Sequence, residues 1–273
     1  MALTQGPLAR LAAEPILMES QRNRLMDLLK LSSGNGKLPK STLTFSLLAG
    51  KTCPGANICK SWVIQDENNR NRILDGSEMQ FRCFAASNEV SYPNTYKAHK
   101  HNTELIVEAL RVSVDHCADL IHHSIDENAM RKTDKVRIHP SGDFFNYSYI
   151  SAWYKVAERN PDLQFYCYSK SLNLFFPDAD AKTFPPNFYL TASYGGKYDY
   201  LIEEGFFPRY AKVVKNDEEA SALGLEVDHD DSHCFGDNPF ALLVHGIQPA
   251  GSEWGAAIRD RKAKGQFVGY GSK

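Results

Sequence analysis

Three times in this chain a short β-prone run ends in a small polar turn. Val136–His139 runs into Pro140-Ser141-Gly142-Asp143, Leu163–Tyr168 into Ser169-Lys170-Ser171, and Phe188–Ala192 into Ser193-Tyr194-Gly195-Gly196. Runs of four to six apolar and aromatic residues bounded by Gly, Pro and Ser read as strands. Tyr149–Arg159, between the first two, reads as a helix stopped by Asn160-Pro161. Strands alternating with helices pack as a parallel sheet with right-handed crossovers. Thr42–Leu48 supplies an earlier strand, and Tyr210–Val214 and Phe240–His245 shorter later ones. The expected fold class is therefore α/β, a partial or full parallel (β/α) barrel of about six units.

Residues 1–40 read as an N-terminal helical extension and linker, with a helix over Leu17–Leu31 and a flexible Ser32–Gly36. Residues 41–273 read as a single barrel-like domain. Leu105, Ile106, Ala109, Leu110, Val114, Cys117, Leu120 and Ile121 recur at three and four, the stripe of one long amphipathic helix. The polar segment at about 65–80 offers no core pattern and reads as an insertion. No apolar run approaches the roughly 20 residues that span a bilayer. The first 24 residues lack the basic start and apolar stretch of a signal peptide. Six cysteines in 273 residues are too few and too uneven for a disulfide framework, which points to reduced thiols in the cytoplasm. Thirty-one Lys and Arg against 33 Asp and Glu give no global footprint for nucleic acid. Lys97–His101 and Arg259–Lys264 read as solvated basic helix ends.

In a parallel barrel, chemistry sits at the C-terminal ends of the strands. The strand at 42–48 leads into Thr52-Cys53-Pro54-Gly55-Ala56-Asn57-Ile58-Cys59, answered by Phe81-Arg82-Cys83-Phe84-Ala85. Pro54 and Gly55 make the first pair a turn. Cys53, Cys59 and Cys83 thus read as metal ligands. Three thiolates leave one position open, as a catalytic metal or an iron–sulfur cluster with an exposed iron requires. Cys117 and Cys167 read as core thiols. Cys234, within Asp228–Cys234, is a candidate fourth ligand, although a solvated acidic loop explains that segment equally well. His139 and His245 read as core histidines at strand ends rather than catalytic ones.

A strand followed by a cysteine loop closing in Cys-aromatic-Ala resembles the entry to radical S-adenosylmethionine enzymes. The spacings x5 and x23 differ from that group's compact motif. More specifically, Cys53–Ala56, Cys83–Ala85, Ser141–Phe144, Tyr168–Lys170 and Phe240–Gly246 resemble the pattern of a phage-associated family known as gene product eighty-eight, over about residues 40–255. That family comes without an established activity, and it is the radical S-adenosylmethionine resemblance that implies an enzyme holding a [4Fe–4S] cluster on Cys53, Cys59 and Cys83. Ser141, Gly142, Asp143, Ser169, Lys170 and Ser193 would line the cofactor, with Asp143 and Lys170 the candidate catalytic residues. The phage-family resemblance implies a phage-encoded protein at work in the host cytoplasm.

Two alternatives stand beside this. Zinc could take the three thiols with His101, His229 or His233 as fourth ligand. It would then either brace a barrel enzyme that exchanges bases through Asp143 or staple a non-enzymatic accessory protein. The contact surfaces of such an accessory protein would be Gln65–Gln80 and Lys97–His101. No phosphate-cradling Gly-x4-Gly-Lys, dinucleotide Gly-x-Gly-x2-Gly, His-Glu-x2-His or Gly-x-Ser-x-Gly occurs. The expected substrate is a small molecule or a nucleotide, or a flipped base presented by a partner protein, with no membrane involved. Phe144, Phe145, Tyr168 and Tyr194 are candidates to stack a purine.

Overall fold

The computed structural model describes residues 27–176 and 184–269. Ten strands are described: β1 (Ser32–Ser33), β2 (Thr42–Phe45), β3 (Ser61–Gln65), β4 (Asn71–Asp75), β5 (Lys135–Ile138), β6 (Gln164–Ser169), β7 (Phe188–Ser193), β8 (Tyr210–Val214), β9 (Glu226–Val227) and β10 (Phe240–Leu243). Eight form one sheet in the order β1-β2-β5-β6-β7-β8-β10-β9. Only β1 is antiparallel to its neighbour; all other neighbours are parallel. A mixed α/β fold with a mostly parallel sheet is what the strand–helix alternation implied.

Alternation along the strands sorts their side chains onto two faces. Leu43, Phe45, Val136, Ile138, Phe165 and Cys167 join the main core with Ile121, Tyr149 and Trp153 of the covering helices. Tyr166, Ala211 and Phe240 pack on the other face around Cys234. That second face is concave. Flat, eight strands spaced by about 4.8 Å would hold their edges roughly 30 Å apart. Instead Lys37, four residues beyond β1, has its Nζ 3.3 Å from Asp228, the residue after β9. The sheet therefore curls until its edges nearly meet. Its hydrogen-bonded order still has two ends, β1 and β9.

Four local expectations differ from what is found. The stripe from Leu105 to Ile121 is not one helix. After the short α1 (Phe84–Ser91), α2 (Pro93–Val112) and α3 (Val114–Asn128) meet at Ser113. Ser113 is extended, and its hydroxyl accepts from His116 N–H at 3.0 Å, capping α3. The segment read as a structureless insertion is half of a β3–β4 hairpin. Asp66 Oδ1 closes its turn on the N–H groups of Asn68 and Arg70, which frees Val63 to be buried. Ser32–Ser33, read as linker, pairs with β2. Most of the Leu17–Leu31 helix lies outside the described residues, and Asp27–Leu31 run without helix and bury Leu29. No helix among the described residues is long and apolar enough to cross a membrane.

Candidate functional site

Parallel neighbours present their C-terminal ends together. Ser169 closes β6 and Ser193 closes β7, while Ser141-Gly142-Asp143 follow β5. All the candidate cofactor residues thus share one rim. The cysteine loop folds over it. Lys197 N–H donates to Gly55 O at 2.9 Å, Ile58 N–H to Gly195 O at 3.2 Å, and Ala56 bridges Gly196. This close approach explains the motif glycines. A Cβ on Gly55 would lie 2.1 Å from the Lys170 carbonyl oxygen. Gly142 has φ +84°, and a Cβ there would meet Thr52 Oγ1 at 2.7 Å.

Asp143 is buried and fully engaged. It accepts from Ser169 Oγ (2.7 Å), Phe144 N–H (2.7 Å), Lys170 N–H (2.9 Å) and Ser171 Oγ (3.2 Å). Desolvation raises its pKa, and these donors oppose the rise. With both oxygens bonded, it works as a clasp between the ends of β5 and β6. Lys170 Nζ donates to Ser193 Oγ at 2.9 Å and also to the Tyr194 carbonyl. Its charge is held beside Cys59 and draws that thiol's pKa down.

The three motif thiols sit half-buried and free. Burial pushes all of them up, Cys83 from 9.0 to about 12. They also act on one another: Cys53 is raised by Asp143, Cys83 and Cys59, and Cys83 by Cys59. Cys83 is the N-cap of α1, where the backbone N–H groups of Ala85 and Ala86 lower its pKa. The thiols are thus close neighbours whose thiolates burial disfavours. Among the described residues, no group of three or more His, Cys, Asp or Glu is arranged to hold a metal ion.

The zinc histidines are engaged elsewhere. His101 Nε2 meets Leu28 O at 3.0 Å, His233 pairs with Asp228 and Glu226, and the His229 ring lies against Phe267. Cys234 is fully buried on the concave face with Tyr166 and Phe240, and Cys117 and Cys167 are core. His139 is held neutral: burial lowers its pKa to about 3, and its Nε2 lies 2.9 Å from the Tyr149 hydroxyl. Of the candidate stacking aromatics, Phe144 is entirely core and Phe145 stacks on Tyr149. Tyr168 lies beneath the Arg137 guanidinium at 5.3 Å, and Tyr194 bonds Glu203. Phe84, next to Cys83, is the aromatic that walls both large cavities.

Sequence reasoning missed two clusters. On the concave face, Asp231 accepts from Arg137 (2.8 Å), Tyr166 (3.1 Å) and Tyr168 (3.1 Å) and pairs with Lys37, which also reaches Asp228. The charged residues of Asp228–Cys234 gave a signal, but nothing showed that Asp231 would turn inward onto two strands. Near the rim, Glu89 is fully buried and bonds Ala49 N–H, Ser141 Oγ and His99. A cavity of about 570 Å³ opens beside Cys83, walled by Arg82, Phe84, Arg137, Leu242 and His245 among others.

The profile of the family described as Gene product 88 matches residues 17–266. The Gene 88 protein of Mycobacterium phage L5 is 33% identical over 90 residues, which span 32% of this chain and 38% of that protein. No solved structure matches. The glycines and strand-end residues that build the rim fall inside the matched span, and the chain belongs to the Gene product 88 family.

Proposed function

We propose that this protein is a radical S-adenosylmethionine-like enzyme of the phage host's cytoplasm, with Cys53, Cys59 and Cys83 holding a [4Fe–4S] cluster and the sheet forming a partial (β/α) barrel around the substrate. One observation carries the reading. Three mutually interacting thiols stand at the C-terminal end of the first parallel strand of a curled sheet, beside a cavity on its concave side. The donor set fits the group: thiolates are the usual cluster ligands, and three leave one iron open.

When bound, the cluster would supply one electron to the sulfonium of S-adenosylmethionine. The chain's own residues hold and shield. Lys170 sets a fixed positive charge beside Cys59, and the N–H groups of Ala85 and Ala86 favour a thiolate at Cys83. Asp143 clasps the strand ends beneath the loop. Ser141, Ser169 and Ser193 are bonded to protein partners, so their part is to fix the rim. The substrate, a small molecule or nucleotide, would lie against Phe84 and Leu242.

Anaerobically reconstituted protein given S-adenosylmethionine and dithionite should release 5′-deoxyadenosine, and Cys83→Ser should not. Iron-loaded protein that forms none would end this reading.

A further inference from the structure

Within the basic run Lys97–His101, Lys97 and Lys100 are exposed while His99 turns inward. Its Nδ1 lies 2.8 Å from Oε1 of Glu89, a side chain with no exposure. That oxygen also accepts from Ala49 N–H at 2.9 Å and Ser141 Oγ at 3.0 Å, while Oε2 is buried without a partner among the described residues. A carboxylate only accepts, so Nδ1 must carry a proton, and in the Nδ1–H tautomer Nε2 keeps a lone pair. Nε2 has no hydrogen-bond partner among the described residues. His99 is also a wall of a second cavity, of about 460 Å³.

The other walls decide what such a cavity would take. Thr44, Ser46, Asn88, Asn94, Thr95 and Ser141 offer hydroxyl and amide groups, and among the described residues Lys30 is the only Lys, Arg, Asp or Glu in its wall. Phosphate-rich ligands are held by several Lys or Arg, and this cavity lacks them. Neutral donors and acceptors around one strong acceptor suit a molecule dense in hydroxyls. Phe84, Asn88, Asn35 and Pro140 wall both cavities, so this one adjoins the space beside Cys83.

We propose that this cavity is a binding site for a vicinal polyol, either a free sugar or the sugar of a nucleoside. His99 Nε2 accepts a hydrogen bond from one hydroxyl, and Glu89 is the positioning residue that fixes the tautomer. The site does not depend on a cluster at the cysteines, so it stands or falls separately from the proposed reaction.

The test is a titration of the full chain, ¹⁵N-labelled at histidine, with D-ribose, adenosine and inorganic phosphate, His99 being assigned through His99→Gln. The expected result is a resting Nδ1–H tautomer and a saturable shift of the His99 ring signals with ribose or adenosine, but not with phosphate. Adenosine binding at least ~10-fold tighter than ribose identifies a nucleoside; comparable binding identifies a free sugar. Ala98→Phe fills the cavity from its wall and removes no hydrogen bond, so it should abolish the shift with unchanged melting. Glu89→Gln should mix the tautomers and weaken binding at least ~10-fold. No saturable shift at His99 with either polyol, a shift with phosphate instead, or full binding by folded Ala98→Phe would each overturn the proposal.

Discussion

On the concave face Arg137 and Lys37 meet Asp231 and Asp228, and the hydroxyls of Tyr166 and Tyr168 complete the donors around Asp231. At the rim, burial raises three thiols gathered beside Asp143; Cys59 adds to the rise at Cys83, Cys83 and Cys59 add to it at Cys53, and Lys170 and Lys60 oppose it at Cys59. Both regions bury polar atoms against the same sheet. In the first, nearly every charge has its partner; the Nε of Arg137 is the exception among the described residues. In the second, the backbone is tightly clasped around three free thiols whose pKa values burial raises. Paired buried charges lock a fold's geometry. Thiols shifted by burial and by one another are a functional-site signal, and the proposed cluster would account for it.

Acid should separate the two regions with the largest effect. His139, just before the rim turn, has its pKa lowered by burial from 6.5 to about 3. A base depressed in the folded state binds fewer protons than the unfolded chain between those values. Its contribution is therefore full above pH 6.5 and lost as pH falls toward 3, in all roughly 4–5 kcal/mol. Asp231 is depressed below 3.8 by Arg137 and Lys37, so its contribution is lost only as pH falls through that lower value. Denaturant melts from pH 7 to 4 should show a steep loss that His139→Asn flattens; Asn tolerates the φ of 60° found there. An equal slope in both proteins would remove the distinction.

Next in size is Asp231→Ala, which strands Arg137 and leaves Lys37 only Asp228, and should cost about 3–4 kcal/mol in denaturant melts while leaving iron binding intact. A loss under 1 kcal/mol would mean the concave cluster is not what closes the sheet. Asp143→Ala should cost about 2 kcal/mol, because the Lys170 and Phe144 N–H groups lose their acceptor. It should also lower iron loading, since the cysteine loop rests on that clasp. Wild-type loading at reduced stability would separate the clasp from the site.

The parallel sheet and its rim were legible because strand period and polar turns are local signals, and Ser141, Asp143, Ser169 and Ser193 stand where those signals put them. What escaped was set by distant partners. Asp143 looked catalytic because nothing local told that Ser169, Lys170 and Ser171 would take both of its oxygens. Glu89 carries no local signal, and only the fold brings Ala49, His99 and Ser141 to it. The α2–α3 break was in principle readable, since Ser113 with Asp115 is a helix-start signal, but the apolar stripe continues across it and masked it.

Iron and acid-labile sulfide, measured in the anaerobically reconstituted full chain and its Cys→Ser variants, test the difference between the two regions most directly. The expected result is about four of each per chain, lost in Cys53→Ser, Cys59→Ser and Cys83→Ser and retained in Cys234→Ser, whose thiol belongs to the concave face. Zinc without sulfide, or iron that survives replacement of all three rim cysteines, would contradict it.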